Sequence, residues 1–198
     1  MWACARQSAA LGALLVLGAC SAPSTPAAQT TSTTSPAAIA RLLELDAAVT
    51  AWASASTLAQ AKTAAETAAN LVTGPDVGGY GDLDGDGHTG GANDRGLLPG
   101  EQGQPGLVTG PTTSCVESAV LGGSWGDPAA RWADLRIRIA QWSPDNNTFP
   151  ALASHPQRVV GWASLAVAST SLDAAQEFAG HAQLHVAASR AAFEDCES

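Results

Sequence analysis

The chain has 198 residues, 45% of them apolar and only 14% charged, with 9 basic against 18 acidic side chains and a formal charge of −9. That apolar share excludes a chain disordered throughout, and the length suits one domain with appendages. Lys62 is the only lysine; so little positive charge argues against a nucleic-acid partner, and the acidity requires any membrane attachment to be covalent or inserted.

The first twenty residues read as an export signal. Arg6 precedes an apolar run over 9–17 that ends in Gly18-Ala19-Cys20. The run is shorter than the roughly 20 apolar residues a spanning helix needs. Leu17-Gly18-Ala19-Cys20 resembles the bacterial lipobox. The resemblance implies a signal peptide over 1–19, cleavage before Cys20, and a diacylglyceryl group on that cysteine. The expected location is then the cell envelope, with the lipid on the outer face of the cytoplasmic membrane or in the periplasm or outer membrane. Removing Cys4 with the leader and consuming Cys20 leaves two cysteines, Cys115 and Cys196. In an oxidising compartment such an even remainder reads as one disulfide. The loop it closes, about 80 residues, corresponds to roughly 4 to 5 kcal/mol in the loop-entropy description.

Residues 20–36 carry no charge and no large apolar side chain, so nothing in them repays the entropy of ordering. They read as a Ser/Thr/Pro-rich tether, and the folded domain is expected over 37–198. Ser35 and Pro36 suit the cap and first position of a helix, and Gly74-Pro75 suits its end. Leu42, Leu45, Val49 and Trp52 recur at three- and four-residue steps as one apolar stripe. Beyond Trp52 the stripe thins into Ala, Ser and Thr, so the second half is either packed through small residues or broken near 54–57.

From residue 114 onward several helix starts follow. Ser114 with Glu117 has capping-box spacing, and Asp127-Pro128 is a cap followed by a favoured first residue. Trp132, Leu135, Ile139 and Trp142 then share a face. Ser154 or His155 before Pro156 begins another helix, carrying Val159, Val160, Trp162 and Leu165. The last runs from about 171 to 193 with Leu172, Ala175, Ala179, Ala182, Val186 and Phe193 inward. No segment alternates with period two over a useful length. The expected fold is an all-α antiparallel helical bundle with a long Gly/Asp-rich loop insertion over 75–112.

The insertion holds six acids against one base, Arg95. At its centre stands Gly81-Asp82-Leu83-Asp84-Gly85-Asp86-Gly87-His88. Alternate carboxylates followed by glycine resemble the first half of an EF-hand or dockerin calcium loop. The resemblance implies oxygen ligands from Asp82, Asp84 and Asp86, a turn at Gly87 and a backbone carbonyl from His88. Position 12 is Asn93 rather than a bidentate Glu, with Asp94 one step later, so a lone loop-type calcium site is expected instead of a paired EF-hand. Calcium is therefore the expected cofactor.

Two further constellations come from the residues themselves. Asp173, Glu177, His181 and His185 form a ridge at four-residue steps, a spacing at which two histidines can share a transition metal. Gly122-Gly123-Ser124-Trp125-Gly126 matches G-x-S-x-G, with Asp134 or Asp173 and His181 or His185 later in triad order, but a nucleophile elbow needs a strand feeding the turn. No catalytic residue is assigned, and the chain reads as a non-enzyme. The sequence thus favours a lipid-anchored binding or structural module with a calcium loop and an unknown envelope or extracellular ligand. The alternatives are a transition-metal lipoprotein using His181 and His185, or a hydrolase at Ser124.

Overall fold

The computed structural model describes residues 35–108, 112–148 and 151–196. The expected signal peptide over 1–19, the expected lipidation site Cys20 and nearly all of the expected tether over 20–36 lie outside the described residues, as does the side chain of Cys196. Among the described residues there are six α-helices: α1 (Pro36–Ala53), α2 (Leu58–Thr73), α3 (Ser114–Val116), α4 (Pro128–Ala140), α5 (His155–Ala168) and α6 (Leu172–Cys196). No strand occurs among the described residues, and the expected all-α class holds. No described helix is long and apolar enough to cross a membrane.

Local sequence sets the helix ends. The break in the first expected helix is real. Ser54 returns its backbone N–H and its Oγ to the Thr50 carbonyl, and the Thr57 side chain then caps α2 by accepting from the Gln60 N–H. Polar side chains that bond their own backbone compete with helix continuation, so a Ser/Thr cluster stops it. The cap of α3 is Thr113 rather than Ser114, and α3 runs into a π-helical turn over Glu117–Leu121. Asp127 caps α4 ahead of Pro128, and Ser154 with Gln157 completes a reciprocal capping box on α5.

α1, α2, α5 and α6 form a four-membered ring in which each packs on two neighbours. The contacts between α1 and α6 show their antiparallel sense. Trp52 donates its indole N–H to the Ala175 carbonyl at 2.7 Å, while earlier on α1 Asp46 meets Arg190 late on α6. Leu42, Leu45, Val49 and Trp52 are buried as the stripe predicted. They face small residues: Ala61, Ala65, Ala68 and Ala69 of α2, and Ala175, Ala179 and Ala182 of α6 are all buried. Alanine stripes let the helix axes approach closely, and the large side chains fill the remaining space.

The insertion docks on the end of α2. Leu97 and Leu98 donate backbone N–H bonds to the Leu71 and Val72 carbonyls, which the helix end leaves without intrahelical partners. Both leucines are fully buried, and Leu107 and Val108 pair with Gly96 and Leu97 behind them. Gly74 sits at φ +71°, where a Cβ would fall 2.0 Å from the Gly96 nitrogen. Only glycine permits that crossing. Arg41, buried on α1, adds hydrogen bonds to the Leu71 and Arg95 carbonyls and pairs with Asp94 at 2.9 Å.

Candidate metal centre

α2 supplies the floor of the site. Its polar residues Thr63, Glu66, Thr67 and Asn70 fall on one face beneath the segment 81–91. Asn70, fully buried, donates to the Gly81 and Gly90 carbonyls and accepts from the Gly81 N–H. Gly91 lies at φ +100° with its missing Cβ 2.6 Å from the Asn70 Cβ. The loop backbone therefore lies directly on the helix.

Glu66 is 1% exposed. Its Oε2 accepts the Leu83 and Asp84 backbone N–H groups at 2.7 and 3.2 Å, and its Oε1 accepts from Gly90 at 2.8 Å. Backbone amides offset this buried carboxylate, and among the described residues no Lys or Arg side chain hydrogen-bonds to it. Asp82 accepts from Gly85 and Asp86 through Oδ1 and from Gly87 through Oδ2. Asp84 accepts the Asp86 N–H on Oδ1 and the Thr63 hydroxyl on Oδ2, the latter at 2.7 Å. Oxygens of Glu66, Asp82 and Asp84 lie within 4.8 Å of one another, an acidic group that could hold a metal ion.

The lone pairs can be counted. A carboxylate has about four acceptor positions. The bonds above leave one on Glu66, one on Asp82 and two on Asp84. All are oxygen donors, the chemistry of a hard cation.

The expected ligands divide. Asp82 and Asp84 come together as the loop resemblance implied. Asp86 stands beside them, its Oδ2 3.3 Å from the Thr63 hydroxyl and its Oδ1 on the His88 N–H. Asp94 goes elsewhere. Arg41 takes its carboxylate, and the Arg95 N–H followed by Arg41 holds that carboxyl below the usual range. Asn93 is exposed and is not in the three-residue group. Glu66 occupies the place of an additional acid, contributed by a helix 16 residues before Asp82. The sequence signal for it was the run of polar residues at helical steps, 63, 66, 67 and 70, which reads equally as a solvent face.

The histidine ridge separates. His181 stacks on Trp162 with ring centroids 4.3 Å apart, while His185 turns its Nδ1 to the Nδ1 of His155 on α5 at 3.1 Å. Burial, then the nearby His155, Arg158 and His181, pushes the His185 pKa down to about 4. Ser124 is exposed, and the segment feeding it is the π-helical turn rather than a strand. Cys115 Sγ lies 4.0 Å from the Ala192 carbonyl, one turn before Cys196. Comparison with known proteins returns nothing: no family model, no curated protein and no solved structure matches the chain.

Proposed function

We propose that the chain is a lipid-anchored protein of the cell envelope that binds calcium at Glu66, Asp82 and Asp84 and serves as a binding or structural module. The observation that carries the calcium reading is the buried Glu66 carboxylate, which approaches two loop carboxylates without a Lys or Arg side chain among its hydrogen-bond partners. Three negative groups so close repel one another, and a divalent cation converts that repulsion into attraction. Calcium suits the site because its donors, Glu66 from α2 and Asp82 and Asp84 from the loop, are all oxygens, and calcium takes six to eight of them. Four free acceptor positions leave the remainder to the His88 carbonyl, Asp86 and water. Such a site is weak, with Kd on the order of 10⁻⁴ to 10⁻³ M, the range of extracellular modules. The leader supports the envelope location through its lipobox resemblance.

Calorimetric titration of the full chain with calcium tests the reading. One site with Kd in that range is expected, and Asp82→Asn with Asp84→Asn should abolish the heat. Absence of binding heat at millimolar calcium would overturn it.

A further inference from the structure

α1 is apolar on both sides. Leu42, Leu45, Val49 and Trp52 fill the core, while Ile39, Ala40, Leu43 and Ala47 lie exposed on the outer side. A helix without a broad polar face is normally covered all round. The uncovered strip continues onto α6. Trp52 bonds the Ala175 carbonyl, so these two residues stand about level on antiparallel helices. Nine residues away in opposite directions, Leu43 and Leu184 are level as well. Nine residues make two and a half turns, so both point away from the core: Leu43 is 52% and Leu184 68% exposed.

Two features say what covers this face. The acids of α1 are neutralised within the protein, Glu44 by Arg41 at 2.8 Å and Asp46 by Arg190 at 3.4 Å. The chain also delivers the strip to a membrane. Ile39 lies in the first turn of α1, which starts at Pro36, and residues 21–34 alone separate Cys20 from Ser35. A coil of that length spans roughly 20 Å, less than the length of α1 itself, about 27 Å. So short a connection holds α1 beside the bilayer at high local concentration, where a weak face suffices. Ile39, Leu43 and Leu184 are few large side chains for a dimer interface, and a charge of −9 opposes self-association.

We propose that the outer face of α1, with Leu184 of α6, rests on the bilayer that holds the anchor, Ile39, Leu43 and Leu184 entering its headgroup layer. The inference rests on the lipid-anchor reading above and gives the anchored domain one orientation. Glu194 and Asp195, exposed at the end of α6, oppose anionic lipid, so the matching surface is zwitterionic.

Photo-cross-linking tests it. The protein, purified from membranes with its lipid, is placed in phosphatidylcholine vesicles containing a diazirine-bearing phosphatidylcholine, and adducts are mapped by mass spectrometry. They should fall on residues 39–43 and on Leu184, and not on Ile137. That residue is 58% exposed but belongs to α4, which packs on α5, across the ring from α1. Leu43→Glu with Leu184→Glu should cut adducts on the face about tenfold, with the lipid retained on Cys20 and far-UV circular dichroism unchanged. In a chain that carries its lipid, adducts absent from the face, or as frequent at Ile137, overturn the docking face and leave the anchor standing. A chain without lipid on Cys20 overturns both. A dimer in detergent that Leu43→Glu dissociates assigns the face to a second copy and overturns the bilayer.

Discussion

Replacing Glu66 by Gln separates the structural role of this carboxylate from its role toward a cation. Gln keeps one oxygen, which can still accept from Leu83 and Asp84, but it turns an amide N–H toward the Gly90 N–H that Oε1 now receives at 2.8 Å. One buried donor is then left facing another, at a cost of roughly 2 kcal/mol. For a domain of this size that lowers Tm by about 4 to 8 °C in chelator. Calcium adds a second difference. With Kd of about 10⁻⁴ M, 1 mM calcium stabilises the natural chain by RT ln 11, about 1.4 kcal/mol or roughly 3 to 6 °C, and the variant by almost nothing. The gap between the two chains should therefore widen from about 2 to about 3.4 kcal/mol on adding calcium. Thermal melts followed by far-UV circular dichroism, with calcium and with chelator, measure both. A gap of the same size in the two conditions would refute the claim that Glu66 faces a cation.

Metabolic labelling with a palmitate analogue should tag the chain, and Cys20→Ser should remove the tag; a label that survives the substitution contradicts the lipobox reading. Non-reducing mass mapping should recover Cys115 joined to Cys196, and free thiols at both positions in protein isolated from the envelope would contradict that pairing. Stability should fall as pH drops from about 6.5 toward 4. The His185 pKa is depressed to about 4 in the folded chain, so its contribution is fully present above the unfolded value near 6.5 and disappears through that window, by up to about 3 kcal/mol. Protonating both rings would also set N–H against N–H across the 3.1 Å contact between His155 and His185. His185→Gln should flatten the pH slope of urea midpoints, and an unchanged slope would refute the assignment.

The helices were legible because their signals are local. Pro36, Asp127-Pro128 and Ser154 mark starts through short-range capping, and the Leu42 to Trp52 stripe declares its buried face by spacing alone. The stop at Ser54 remained ambiguous because Ser and Thr among alanines suit either a tight helix contact or a cap. The loop carboxylates Asp82 and Asp84 were visible for the same reason as the caps: alternation and glycine are short-range patterns. Glu66 was not. Its role depends on residues 81–91 folding back over α2, a long-range event. Asp94 misled for the converse reason, since its nearness in sequence to the calcium-like loop says nothing of Arg41, 53 residues earlier and within reach. The two histidines at a four-residue step were likewise divided by partners on another helix.

The seam between α1 and α6 joins the first helix of the bundle to the last. Trp52 finds the Ala175 carbonyl 123 residues later, and Gln176 reaches back to the Ala53 and Ala55 carbonyls. A ring closed in this way has high contact order at its final step, because the entropy of bringing distant segments together precedes any reward from their packing. During synthesis α1 and α2 emerge as a hairpin with one flank uncovered, and that flank stays uncovered until nearly the whole chain has been made. Loss of the last two dozen residues would thus be felt most strongly at the opposite end of the sequence, where Trp52 would lose its acceptor and its neighbours at once.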